Sequence, residues 1–293
     1  MLFITLAFDL GALKPEDTEA ACFAAGALSV TFSDARDDAV LEPAPGELRL
    51  WPVTRVTALF TAQAATAGTA ERLSAHLGIA ASAIEQAVLE DRVWEREWLK
   101  DFHARRCGRR LWICPRHETV SEPDAIVLTL DPGLAFGTGT HPTTAMCLHW
   151  LDAELAPGAR VIDYGCGSGI LGLAAAKLGA RAVWCFDIDP QALTATQENA
   201  AANALSERVA SCATAEELPR GVDVLLANIL AGPLTELAPR FAAWVRPGGR
   251  VVLAGLIDAQ VADVTGAYDT WFDMRRFAVR DDWVGLEGLR RAP

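Results

Sequence analysis

The chain has 293 residues, 51% hydrophobic and 22% charged, the composition of a packed globular protein rather than a disordered or fibrous one. Its length fits one large domain or two modest ones. A net charge of −12 argues against gripping nucleic acid through a basic face, so no direct nucleic-acid binding is expected.

In chain order, Leu2–Phe8 reads as a strand, Pro15–Ala25 as a helix and Ala27–Phe32 as a second strand. After the turn at Glu42-Pro43-Ala44-Pro45-Gly46 come strand candidates Glu47–Trp51 and Arg55–Phe60, a helix over Thr69–Leu77 and a closing strand over Ala83–Leu89. Strands and helices mixed in this way suggest a small α+β domain of the ferredoxin-like kind over residues 1–90. Residues 91–104 differ. Trp94, Trp98 and Phe102 recur every fourth position on an otherwise charged segment, which suits a linker helix docked by one aromatic stripe.

Residues 105–293 alternate strand and helix. Strand candidates are Leu111–Cys114, Ala125–Leu130, Arg160–Asp163, Ala182–Asp187, Val222–Ala227 and Arg250–Gly255. Helices are expected over Thr143–Leu151, Ile170–Leu178, Pro190–Asn203, Pro233–Val245 and Ala259–Ala267. This alternation predicts an α/β fold with a mainly parallel sheet, helices on both faces and a ligand at the carboxyl ends of the strands. Seven cysteines with no Cys-x-x-Cys pair point away from a disulfide framework and from a zinc site. Apolar runs stay short of a membrane span and Met1–Asp9 lacks the features of a signal peptide, so no membrane partner and a cytoplasmic location are expected.

Four loops carry the chemistry. In Val161–Ile170 a short apolar strand ends in Asp163 and runs through Gly165-Cys166-Gly167-Ser168-Gly169 into a helix. Glycines let the backbone approach a ligand closely, and the helix start offers unpaired N–H groups. Gly167, Gly169 and Gly172 also fit the spacing of dinucleotide binders. Asp163 would repel a pyrophosphate but could pair with a cofactor amino group, and Asp187, at the next strand end, could accept both hydroxyls of a ribose. Together they favour S-adenosylmethionine over NAD, while a turn-capping role for Asp163 stays open. Asn228, leaving a later strand, could orient an attacking amine or merely end the strand. Leu130–Thr144 is rich in Gly, Pro and Thr, able to cover a ligand, and holds His141, an acid–base candidate or a structural residue.

At these loops the chain closely resembles the PrmA family, methyltransferases that modify large-subunit ribosomal protein eleven. Leu130–Thr144 is similar to the family signature almost residue for residue, and the likeness extends over the Trp94–Trp98 segment, Arg109–Pro115, Val161–Gly172, Asp187–Pro190 and Asn228–Pro233. The resemblance implies a substrate-recognising N-terminal domain, a linker helix and a class I, Rossmann-like methyltransferase domain. It implies S-adenosylmethionine-dependent transfer of methyl groups to lysine side chains and an N-terminal α-amine, and cofactor contacts at Thr144, Gly165, Asp187 and Asn228. With Asp163 and Gly167 from the loop, these are the candidate site, and Asn228 is the candidate catalytic residue. Phe186 stands where the family commonly has a small or aliphatic residue, and Pro115-Arg116-His117 replaces an aromatic-containing turn. A small-molecule methyltransferase would share the core without needing the first ninety residues, and a non-catalytic interaction protein would not need intact loops.

Overall fold

The computed structural model describes residues 2–36, 50–65, 68–90, 103–130 and 139–292. The expected strand at Glu47–Trp51 falls partly outside them, and its described residues Leu50 and Trp51 are not in a strand. The aromatic segment 91–102 and loop residues 131–138 also lie outside. The chain divides into two compact units, Met1–Glu97 and Trp98–Pro293.

In the smaller unit the elements run β1 (Leu2–Asp9), α1 (Pro15–Ala24), β2 (Ser29–Asp34), β3 (Thr54–Thr61), α2 (Thr69–Leu77) and β4 (Glu85–Glu90). The sheet order is β2-β3-β1-β4, with every neighbouring pair antiparallel. This is the split βαβ arrangement of ferredoxin-like domains. Alternation explains it: Leu6 and Phe8 of β1 and Val56, Ala58 and Phe60 of β3 face one side, where Cys22 of α1 and Leu73 of α2 complete a core.

The larger unit begins with a three-stranded sheet of β5 (Arg105–Arg106), β6 (Leu111–Cys114) and β7 (Ile126–Thr129). Asn203 holds β7 in place: its amide donates to Thr129 O at 2.6 Å and accepts from Thr129 N at 2.9 Å. There follow α3 (Pro142–Glu154), β8 (Arg160–Tyr164), α4 (Ile170–Lys177), β9 (Ala182–Phe186), α5 (Pro190–Ala202) and β10 (Val209–Cys212). The unit closes with β11 (Val222–Asn228), α6 (Ala231–Trp244), β12 (Val245–Ile257), α7 (Val261–Tyr268), β13 (Phe272–Arg280) and β14 (Trp283–Arg290).

The main sheet has the order β10-β9-β8-β11-β12-β14-β13. Pairs from β10 to β12 are parallel, and β14 is antiparallel to both β12 and β13. Both faces are covered, as a central parallel sheet requires. Leu148, Leu173, Ala174 and Ala200 from α3, α4 and α5 pack on one face. On the other, Leu234, Phe241, Val264 and Tyr268 from α6 and α7 cover Ile162, Leu225 and Leu253. Strand order reverses at β8, so the crevice between the ends of β8 and β11 is the switch point where such sheets bind ligands.

Candidate functional site

The floor of that crevice is the turn after β8. Gly165, Gly167 and Gly169 all have positive φ, at 72°, 53° and 79°, a backbone path that side chains with a Cβ rarely follow. The turn is tied to the neighbouring strand end, because Gly165 N and Cys166 N both donate to Phe186 O at 2.8 and 3.0 Å. A Cβ on Gly165 would lie 2.3 Å from Ile229 Cγ2, so the loop and the exit of β11 touch.

Asp187, just beyond β9, is bonded into the same turn. Its Oδ2 accepts from Gly167 N at 2.9 Å and its Oδ1 from Asp189 N at 3.0 Å. Asp189 in turn caps α5 by accepting from Gln191 N at 2.8 Å. A carboxylate has about four acceptor sites, so two remain at Asp187 for ligand hydroxyls.

Asp163 sits lower. Its side chain is 1% exposed and its Oδ2 accepts from Gly172 N at 2.8 Å, in the first turn of α4. Burial pushes its carboxyl up to about 7; the Gly172 N–H opposes this and the negative charge of Asp187 adds to it.

A cleft of about 540 Å³ opens over the turn. Gly165, Gly167, Asp187 and Asn228 line it, whereas Asp163 and Thr144 are buried and are not among its lining residues. The wall also includes Phe186, which the sequence marked as a departure from the family, and Tyr164, Ile188, Ile229, Leu230 and Trp283, none of which the sequence motifs had singled out for a ligand. One signal was available: Ile188 lies between two aspartates in a turn and is 89% exposed, an unusual place for an aliphatic side chain without a partner. Trp283 had no such signal, since its place depends on how β14 pairs with β12.

The rim opposite the glycine turn is the start of α3. His141 is its N-cap, with Nδ1 2.7 Å from Thr143 Oγ1, and its ring meets Trp283 edge-on at 5.0 Å between centroids. Partial burial holds the His141 imidazole below its ordinary pKa, so it is neutral at pH 7. Thr144, one residue further, accepts a hydrogen bond from Asn228 Nδ2 at 3.2 Å. Among the described residues the lining is therefore mostly apolar, with one carboxylate, one neutral imidazole, one amide and no Lys or Arg. Such a lining suits a cationic ligand with an adenosyl group and offers no positive charge to a pyrophosphate.

Among the described residues no cluster of His, Cys, Asp or Glu could hold a metal ion, all seven cysteines are free and buried, and no helix is long and apolar enough to cross a membrane.

A family model described as ribosomal protein L11 methyltransferase (PrmA) matches residues 3–291. The chain is 48% identical over 276 residues to the ribosomal protein L11 methyltransferase of Cellvibrio japonicus, covering 94% of each. It is also 48% identical over 292 residues to the one from Methylococcus capsulatus, covering 99% of this chain and 98% of that one. Among solved structures, the ribosomal protein L11 methylase of Lactobacillus delbrueckii subsp. bulgaricus superposes with a TM-score of 0.60 at 32% identity, covering 65% of this chain and 100% of that one.

Proposed function

The chain belongs to the ribosomal protein L11 methyltransferase family, and we propose that it transfers methyl groups from S-adenosylmethionine to amino groups of ribosomal protein L11. The observation that carries this reading is the lining of the cleft: Asp187 bonded into the glycine turn, Asn228 at the exit of β11 and, among the described residues, no basic side chain. In the class I methyltransferase fold of the larger unit the glycine turn, Asp187 and Asn228 follow the carboxyl ends of the parallel strands β8, β9 and β11.

In this reading Gly165 and Gly167 bring backbone against the cofactor, and Asp187 accepts its ribose hydroxyls. When bound, S-adenosylmethionine supplies a methyl group made electrophilic by the sulfonium. The residues of the chain align the acceptor and exclude water, and alignment is the larger contribution to a direct displacement. A lysine of pKa near 10.4 is neutral in about one molecule in 10³ at pH 7, a cost of roughly 4–5 kcal/mol. The apolar walls made by Ile229, Leu230 and Trp283 favour the neutral amine. Asn228 accepts an N–H from that amine and turns its lone pair toward the methyl carbon. His141 is neutral, but its Nδ1 lies against Thr143 in the helix cap, so in this scheme the proton leaves to water before transfer.

The smaller unit presents the protein substrate, lysine side chains and the N-terminal α-amine are the acceptors, and the enzyme works in the cytoplasm, where ribosomal proteins are made. Calorimetry of the full chain against S-adenosylmethionine and NAD tests the cofactor assignment. Saturable binding of the first alone supports it, and binding of NAD with no response to S-adenosylmethionine contradicts it.

A further inference from the structure

Among the described residues a second cavity, at one end of the three-stranded sheet, shares no lining residue with the cleft. Its volume is about 370 Å³, at the lower end of the roughly 300–1,000 Å³ of small-molecule pockets. Two turns frame it: residues 107–110, which join β5 to β6, and residues 122–125, which lead into β7. Ile126 N donates to Arg110 O at 2.8 Å and ties the two together. The first turn needs Gly108, whose φ is 106° and whose missing Cβ leaves room for Asp152. From α3, Asp152 accepts the N–H groups of Arg109 and Arg110.

The cavity has two unlike walls. On one, Arg106 and Trp112 face each other across β5 and β6, so their side chains share a face, with Arg109 and Arg110 beside them. Arg106 directs Nε and a terminal nitrogen at a single acceptor, Arg109 O. The Nε of Arg110, a half-exposed side chain, stops 3.6 Å from Asp152 Oδ1, a buried oxygen with no hydrogen bond among the described residues. Arg109 is exposed, and among the described residues no carboxylate pairs with it. Each guanidinium carries five N–H donors, so this wall has donors unmatched. Opposite, Glu122 and Asp124 are exposed, and among the described residues no cation pairs with them.

A ligand that meets both walls offers acceptors at one end, donors at the other and a flat body between. An acidic peptide fails at the carboxylates, and an inorganic anion leaves Trp112 unused. A nucleotide satisfies all three: its phosphate accepts from the guanidinium forks, its base stacks on Trp112 and its base edge donates to the acids. Guanine suits a carboxylate best, because N1–H and the N2 amino group donate side by side, whereas adenine sets an acceptor beside its amino group. A net charge of −12 opposes a broad basic face and does not bear on one cavity. We propose that this cavity binds a guanine nucleotide, free or as one residue of an RNA strand, apart from the methyl-transfer cleft.

Calorimetry on the full-length protein at low salt tests the site with guanosine monophosphate, adenosine monophosphate, inorganic phosphate and a single-stranded hexaribonucleotide containing guanine. One guanosine monophosphate binds per chain with a Kd below about 1 mM. It binds about tenfold tighter than the adenine nucleotide or phosphate, and saturating S-adenosylmethionine does not displace it. Arg109→Ala weakens it about tenfold, and the double variant Glu122→Gln/Asp124→Asn removes the preference for guanine. Both variants bind S-adenosylmethionine as the wild type does, which shows that they are folded. A hexanucleotide that binds more tightly than the mononucleotide and is weakened alike by Arg109→Ala identifies RNA as the source, and one that binds no better identifies the free nucleotide. The site is overturned if neither guanine ligand binds, or if S-adenosylmethionine displaces the nucleotide. Phosphate binding as tightly, which makes this an anion site only, guanine and adenine binding alike, or indifference to Arg109→Ala also overturns it.

Discussion

Replacing Asp163 by Asn separates a structural strut from a charged ligand contact. The buried carboxyl has its pKa raised from 3.8 to about 7, so the folded state holds its proton where the unfolded chain has released it. For an acid shifted upward, stability is fullest below the unfolded value and falls as pH rises, levelling off above the folded value. Between about pH 5.5 and 8 the shift implies a loss of about 2 kcal/mol from this one group, at 1.36 kcal/mol per pH unit up to 7. Asparagine keeps an oxygen for the Gly172 N–H and cannot ionise, so Asp163→Asn should gain on wild type by about that amount across the interval. Urea unfolding of both proteins without cofactor, followed by tryptophan fluorescence at about pH 5.5 and 8, gives the difference directly, and effects common to both cancel. A difference that stays flat with pH would refute the reasoning, since Asp163 would then be ionised throughout the range.

Other perturbations should act locally. Gly165→Ala puts a Cβ against Ile229 and forces positive φ on alanine, a strain of about 1–3 kcal/mol that should lower the melting temperature, and calorimetry on the folded variant should show at least a tenfold weaker cofactor. Asp187→Ala removes the acceptor for Gly167 N and Asp189 N as well as the ribose partner; it should weaken the cofactor by about 2 kcal/mol or more, and equal binding would remove Asp187 from the site. Asp152 of α3 accepts from the backbone N–H groups of both Arg109 and Arg110. Asp152→Ala should therefore destabilise the larger unit by about 2–3 kcal/mol in urea titrations while leaving cofactor affinity in the folded protein unchanged.

The alternation of apolar strands and amphipathic helices was legible wherever burial on both faces left a continuous apolar run. Leu111–Cys114 and Thr69–Leu77 are the same segments in sequence and structure, and β8 and β9 differ by one residue at an end. The last antiparallel pair was missed. β13 is an edge strand whose Arg275, Arg276 and Arg280 break the apolar pattern, and β14 contains Gly285 and Gly288, which ordinarily argue against a strand. Here both glycines make room for side chains of β13 that lie over them: a Cβ would lie 2.5 Å from the Phe277 ring and 2.3 Å from Met274 Sδ, so those side chains would have to shift. Helix α6 begins at Ala231, two residues before the expected Pro233, because proline lacks only an N–H that the first turn does not use.

At the proposed site, spacing alone pointed to Gly165 and Asp187, since both obey rules of backbone approach and strand-end placement. It could not separate Thr143 from Thr144, which are chemically equal. The helical turn settles their surroundings: Thr143 reaches the cleft and the His141 cap, and Thr144 turns to Asn228. Nor could spacing show that Asp163, a loop neighbour of Gly165 in sequence, points beneath the turn to Gly172.

The most direct test of the central claim is transfer of labelled methyl from S-adenosylmethionine to purified L11 by the full chain, with the product sites read by mass spectrometry. The account predicts methylated amines on L11 and loss of labelling in Asn228→Ala beyond any loss of cofactor affinity. Cofactor binding with no label on L11, and label appearing in a small molecule instead, would contradict it.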